Sequence, residues 1–168
     1  MSGPYEIYLI RHGLAEERGA AWPDDDKRPL TDVGRARFKK SMRGLAAVGV
    51  RFDVILTSPL VRTRQTAEIA ASVFTTRPRI VTVESLAPGG SYQAVLADLH
   101  EQSRVSRIAL VGHEPDLGEL AARLAGSRRA WEFKKGAACR IDILTLPPGG
   151  PGTLRWFLTP RMMRGLKK

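Results

Sequence analysis

The sequence has few cysteine, histidine and aromatic residues. Of its 168 residues, one is cysteine, three are histidine and 7% are aromatic. A single Cys139 excludes an internal disulfide, and three histidines with one cysteine cannot complete a Cys-rich structural zinc site. We therefore expect a cytoplasmic protein that holds no metal.

Long apolar runs are also missing. No run approaches the roughly 20 residues of a membrane-spanning helix. Residues 1–6 have neither the basic nor the apolar region of a secretory signal. We expect neither secretion nor membrane association. Because 43% of the residues are apolar, the chain can close a core. We predict one domain over residues 1–168, and a monomer.

Negative charge is in short supply, above all toward the end of the chain. The sequence has 27 basic and 17 acidic residues, a net charge of +10. Residues 101–168 carry 13 basic and 6 acidic side chains, against 14 and 11 in residues 1–100. The basic tail, about residues 160–168, is either a patch for an anionic partner or a solvated, mobile terminus. Sparse aromatics and the lack of a nucleic-acid motif argue against nucleic acid as the partner.

Strands and helices alternate along most of the sequence. Short apolar runs predict strands near residues 6–10, 52–56, 79–84 and 107–111, each followed by a helical pattern. The second helix is expected to follow a Ser58 cap, with Pro59 in its first turn. Two late strands around a Pro/Gly-rich segment read as a hairpin. The pattern predicts an α/β fold: a three-layer α/β/α sandwich with a mainly parallel central sheet and a C-terminal hairpin.

Two histidines follow two of these strands. His12 and His113 each stand two residues beyond the last apolar residue of a parallel strand, so both belong to the carboxyl edge of the sheet. Ser58 follows the second strand, and Arg62 comes early in the next helix. With Arg11, they place two imidazoles and two guanidiniums near a helix N-terminus, which suits a tetrahedral phosphoryl group. A histidine in such a cage can act as a nucleophile.

Four motifs carry these residues, in the order YLIRHG, RPLTDVG, TSPLVRTRQTA and VGHEP, over residues 8–13, 28–34, 57–67 and 111–115. In this order and spacing they resemble the histidine phosphatase superfamily, also called phosphoglycerate mutase-like. Within it, the chain resembles the small SixA-type phosphohistidine phosphatases. The resemblance spans nearly the whole chain and implies a phosphoglycerate mutase-like fold that needs no cofactor.

The resemblance also implies roles for the residues at the sheet edge. His12 would be the nucleophile that becomes phosphorylated, and Arg11, Arg62 and His113 would complete the phosphate pocket. Ser58 looks like a supporting, substrate-binding residue. Only a short loop joins the third strand to the third helix, so little chain is left for a lid, and an open site would admit a protein.

The proton donor departs from the family pattern. Mutase-like members place an acid in the loop after the third strand, where this chain has Pro88, and Glu84 lies upstream as a possible donor. A phosphohistidine releases imidazole, a far better leaving group than an alkoxide, and therefore needs less acid catalysis. We predict a metal-independent phosphatase for a phosphohistidine-containing protein, such as a phosphotransfer domain. The alternatives are a phosphatase for small phosphate esters, with Glu84 or an acid of the long loop over residues 14–29 (the first loop) as donor, and a non-catalytic polyanion-binding module.

Overall fold

Six strands form one mixed sheet. The computed structural model describes residues 4–167. The strands are β1 (Tyr5–Arg11), β2 (Val54–Thr57), β3 (Arg79–Thr82), β4 (Arg107–Gly112), β5 (Ala138–Ile143) and β6 (Thr153–Leu158). Their order across the sheet is β3-β2-β4-β1-β5-β6. The first four are parallel, and β5 and β6 form an antiparallel hairpin beside β1. The predicted α/β class, mainly parallel sheet and C-terminal hairpin are confirmed.

Five helices accompany the strands: α1 (Asp32–Ala47), α2 (Val61–Val73), α3 (Tyr92–Glu101), α4 (Asp116–Ala125) and α5 (Pro160–Gly165). Two short 3-10 turns lie at Asp25–Lys27 and Glu84–Leu86. The side-chain oxygens of Thr31 and Ser91 cap α1 and α3 by accepting from the backbone N–H three residues on. Across residues 4–167, no helix is both long enough and apolar enough to cross a membrane.

The alternation of β1 explains the layers. Ile7 and Leu9 pack into a core that includes residues of α3 and α4, whereas Tyr8 and Ile10 pack into a second core with residues of α1, α2 and α5. Successive side chains of a strand point to opposite faces, so a strand covered on both sides must be apolar throughout. This is why the strand read as one apolar run in the sequence, and it produces the three-layer sandwich.

The start of α2 differs from the prediction. The helix begins at Val61 with Leu60 at the N-cap position, so Pro59 lies outside it and Ser58 is not the cap. The Ser58 hydroxyl instead accepts from the backbone N–H of Leu60 at 3.3 Å. Because the chain turns before the helix begins, Ser58 stays at the sheet edge rather than in the helix.

The basic tail is not a free terminus over residues 160–165. Thr159 caps α5, and Met163 is fully buried in the core that α1 also lines. Gly44 of α1 makes this possible, since a Cβ there would lie 1.8 Å from the carbonyl oxygen of Met163. The expectation of a solvated, mobile end is therefore wrong for this segment. Only its outward-facing side chains, including Arg161 and Arg164, are exposed.

Candidate active site

The ends of β1 and β4 bring two histidines together. The two strands pair in parallel with Arg11 opposite Gly112, so His12 and His113 leave the sheet side by side. Their ring centroids are 5.4 Å apart. His12 is 5% exposed and His113 is 4% exposed. The structure thus assembles the histidine pair that the sequence placed at one sheet edge.

A backbone carbonyl fixes the tautomer of His12. Its Nδ1 lies 2.7 Å from the carbonyl oxygen of Gly13. A carbonyl oxygen only accepts hydrogen bonds, so Nδ1 carries the proton and donates it. The lone pair of the neutral ring is therefore on Nε2. This is the form of imidazole that a nucleophile requires.

Ser58 orients the second histidine. The backbone N–H of Ser58 donates to the carbonyl of Val111 at 3.2 Å, which fixes the serine at the end of β2. Its Oγ then lies 2.8 Å from Nε2 of His113. Nδ1 of His113 is buried and has no hydrogen-bond partner within residues 4–167. The hydrogen bond with Ser58 thus fixes the orientation of the His113 ring.

Both imidazoles are neutral near pH 7. Burial is the main cause and lowers the pKa of His12 to about 3 and that of His113 to about 4. Neighbouring cations add to the effect, since the positive charges of Arg62 and Arg11 disfavour protonation of either ring and lower its pKa further. A histidine kept neutral among cations is suited to accept a phosphoryl group rather than a proton.

Two arginines flank the histidines. Arg62, in the first turn of α2, is 2% exposed, and burial lowers its pKa. Arg11 donates from Nη1 to the carbonyl of Phe133 at 2.6 Å. The Nε atoms of both arginines are buried without a hydrogen-bond partner in the described chain. Arg64, two residues along α2, is exposed and lies outside this group.

An acidic residue that the sequence analysis did not single out lies against Arg62. The carboxylate of Asp25 forms ion pairs with Nη2 of Arg62 at 3.1 Å and with Nε of Arg28 at 2.8 Å. Its backbone carbonyl also accepts a hydrogen bond from Nη1 of Arg62. These contacts, with the hydrogen bond from Arg28 foremost, hold the pKa of Asp25 below its usual value. Arg28 is itself buried and also donates to the carbonyl of Glu16. The run of three aspartates at 24–26 was the sequence signal for this residue, but it does not say which one meets Arg62.

These groups surround a cavity of about 640 Å³. Arg11, His12, Arg62 and His113 all line it, whereas Ser58 lies behind His113. Acidic residues of the first loop and of the turn between β4 and α4 also line it, namely Glu16, Glu17, Asp25, Asp26 and Glu114.

Glu84 does not line this cavity. It is exposed at the start of the second 3-10 turn, and Pro88 reaches the cavity instead. Glu84 therefore lies outside the residues that line the cavity, and this geometry gives no support to the prediction that it donates a proton. The turn carries residue 84 away before the chain returns at residue 88.

Two side chains of α2 support the loops around the cavity. Thr66 accepts from the backbone N–H of Gly13 at 3.1 Å, and Gln65 accepts from that of Leu30 at 2.8 Å. One bond fixes the loop that carries His12, and the other closes the base of the first loop. These residues of the third motif are scaffold.

Comparison with known proteins agrees with this geometry. The sequence pattern of the histidine phosphatase superfamily, branch 1, matches residues 7–87. An uncharacterized protein of Picosynechococcus is 46% identical over 71% of this chain and 73% of its own length. A 2,3-bisphosphoglycerate-dependent phosphoglycerate mutase of Methylobacterium is 39% identical over 95% of this chain and 70% of its own. The solved structure of the protein histidine phosphatase SixA complexed with tungstate has a TM-score of 0.83 and 25% identity, covering 94% of this chain and 99% of that one.

The chain belongs to the histidine phosphatase superfamily. This membership supports phosphatase activity for the chain. Within the superfamily, its architecture is of the SixA type, because its fold superposes on that of SixA over nearly the full length of both chains. The resemblance inferred from four motifs is thereby confirmed.

Proposed function

We propose that the chain hydrolyses phosphohistidine on a protein, without a metal, through a phosphorylated His12. The observation that carries the proposal is the neutral histidine pair: His12 presents a lone pair on Nε2, and two arginines stand beside it. SixA is described as a protein histidine phosphatase, and its likeness to this chain favours the same class of substrate.

The first step is transfer of the phosphoryl group to the enzyme. Nε2 of His12 attacks phosphorus, and the bond from phosphorus to the substrate nitrogen breaks. The electron pair stays on that nitrogen, and with a proton on the other ring nitrogen the substrate leaves as neutral imidazole. Arg11 and Arg62 neutralise the charge of the phosphoryl oxygens, and His113 lines the same cavity.

The second step is hydrolysis of the phosphoenzyme. Water attacks phosphorus, the bond to Nε2 breaks, and the electron pair returns to the imidazole as inorganic phosphate forms. The carbonyl of Gly13 holds the proton on Nδ1 throughout, so His12 is regenerated in its starting tautomer.

The lining of the cavity by Pro88 favours a nitrogen leaving group. A proline supplies no proton, whereas an alkoxide leaving from a sugar phosphate needs one. One observation favours the second candidate, a phosphatase for small phosphate esters. Asp25, Asp26, Glu16 and Glu17 line the same cavity and bring carboxyl groups to it.

Phosphate release from a phosphohistidine peptide, nitrophenyl phosphate and sugar phosphates, with a chelator present, tests the proposal. The peptide is expected to be the preferred substrate, and the chelator is expected to have no effect. His12→Ala is expected to abolish release and labelling of the enzyme by phosphate. The matched control is His100→Ala, since His100 is exposed, lies outside the cavity, and its ring contacts the carbonyl of Leu146.

Full activity of His12→Ala would overturn the mechanism. Preference for a sugar phosphate would transfer the function to small esters, and loss of activity with chelator would contradict metal independence.

A further inference from the structure

A second cavity, of about 350 Å³, lies between the first half of α1, the turn before β5 and the start of α5. We call it the basic cavity because five cationic side chains line it and, among residues 4–167, no carboxylate does. They come from three separate segments of the chain: Arg37, Lys134, Lys135, Arg161 and Arg164. The surplus of basic residues in the sequence is thus partly gathered at one place by the fold.

The cations of the basic cavity are unpaired. None of the five side chains takes part in an ion pair or hydrogen bond within residues 4–167. Some arginines elsewhere do have carboxylate partners, as in Arg107 with Asp53 at 2.6 Å and Arg140 with Asp142 at 2.7 Å, so what distinguishes this cavity is that five cations meet at one place. Five neighbouring charges of one sign without a counter-charge produce a strong positive potential. An anionic group is the complementary ligand.

The basic cavity adjoins the 640 Å³ cavity that Arg11, His12, Arg62 and His113 line, which we call the catalytic cavity. Leu14 and Lys135 line both. The turn that carries the two lysines is hydrogen-bonded to the end of β1. The N–H of Gly136 donates to the carbonyl of His12 at 2.9 Å and to that of Arg11 at 3.2 Å. Gly136 has a φ of +80°, a conformation that favours glycine. A ligand can therefore extend from His12 into the basic cavity past a fixed turn.

We propose that the basic cavity binds an acidic segment of the protein substrate, next to its phosphohistidine. The proposal rests on the function proposed above. Because the two cavities share Leu14 and Lys135, a peptide chain that carries its phosphohistidine at His12 can bring neighbouring carboxylates to the basic cavity, and charge complementarity speeds encounter and selects the partner. Nucleic acid is disfavoured, because single strands are held by stacking on aromatic rings, and the aromatic residue of this lining, Phe38, is 3% exposed.

Two phosphohistidine peptides test this, one with glutamates flanking the phosphohistidine and one with glutamines. The wild-type protein is expected to prefer the acidic peptide in kcat/KM by roughly tenfold at low salt, and less at high salt. Arg37→Glu with Arg161→Glu is expected to abolish the preference. Hydrolysis of nitrophenyl phosphate by the same variant reports that the protein is folded and the catalytic cavity intact.

The matched control is Lys39→Glu with Arg43→Glu. It also reverses two charges, and both residues are exposed on α1 and do not line the basic cavity. It is expected to retain the preference. A general effect of net charge would instead reduce the preference equally in both double variants, and that result would overturn the proposal.

The remaining outcomes separate this proposal from the proposed function. Equal turnover of the two peptides by the wild type would overturn the acidic docking site and leave phosphohistidine hydrolysis standing. Hydrolysis of nitrophenyl phosphate but of neither peptide would overturn the proposed function itself. Tighter binding of a single-stranded oligonucleotide than of the acidic peptide, lost in Arg37→Glu with Arg161→Glu, would assign the cavity to nucleic acid and overturn the proposal.

Discussion

We expect the residue at position 88 to affect how readily the leaving group is protonated. Pro88 lines the catalytic cavity, and Glu84 lies outside it. A general acid contributes about 10²–10⁴-fold to a rate, so we expect Glu84→Gln to change kcat/KM by less than about twofold. Pro88→Glu is expected to increase turnover of sugar phosphates, because it brings a carboxyl group to the cavity.

The leaving group provides the control for this prediction. Nitrophenolate leaves without a proton, so Pro88→Glu is not expected to increase turnover of nitrophenyl phosphate, and Pro88→Gln is not expected to increase either. Steady-state kinetics of the variants on both esters checks this. A large loss in Glu84→Gln would show that Glu84 reaches the substrate by a movement of its turn.

The site residues differ in how far the sequence could predict them. His12 and His113 could be predicted because each directly follows a parallel strand, and local spacing then determines position. The Asp25–Arg62 pair could not, since it joins residues 37 apart through a tertiary contact. For the loop after β3 the family pattern already indicated position 88, and the structure places Pro88, not Glu84, at the cavity.

At the scale of the elements, α5 is the piece that local patterns do not predict. Its six residues are too few to show helical periodicity, and its stability comes from packing on α1. β1 and β4, in contrast, can be predicted from local sequence, because a continuous apolar run indicates a strand that is buried on both faces.

The packing of α5 leads to a prediction about stability. Met163 is fully buried, whereas Met162 is 55% exposed. We expect Met163→Ala to lower the free energy of unfolding by about 2–4 kcal/mol, because it leaves a cavity between α5 and α1. Met162→Ala, the matched control, is expected to change it by less than about 0.5 kcal/mol. Urea unfolding measures both, and equal effects would mean that α5 is not held through Met163.

At the scale of the whole molecule, the fold concentrates positive charge around its sheet edge. The catalytic cavity combines its cations with carboxylates such as Asp25, whereas the basic cavity has none. Net charge could be read from the sequence, but its distribution could not, because the five side chains of the basic cavity come from separate segments. The fold thereby places an unpaired positive surface next to a site with buried, neutral histidines.

Those histidines make the stability of the whole molecule depend on pH. Their pKa values are about 3 and 4 when folded, below the ordinary 6.5, so the unfolded chain binds more protons between these limits. Stability therefore falls as pH decreases below about 6.5. Asp25, Asp53 and Asp142 have lowered pKa values, and their contribution is lost only at still lower pH.

Glu114 acts in the opposite direction. Burial raises its pKa above 4.5, so the folded state binds its proton more tightly and Glu114 favours folding as pH falls toward 4.5. The two histidines outweigh this single group, because each is almost completely buried and their folded pKa values lie at about 3 and 4.

We expect the free energy of unfolding to decrease between pH 7 and pH 5 by about 1–2 kcal/mol per histidine, before the smaller opposing effect of Glu114. Urea unfolding at both pH values measures the change. In a variant with His12→Gln and His113→Gln the decrease should disappear, because neither glutamine binds a proton in this range. If the variant kept the full decrease, other groups would be responsible for it, and the two imidazoles of the folded protein would not be the neutral, buried pair that the proposed phosphoryl transfer requires.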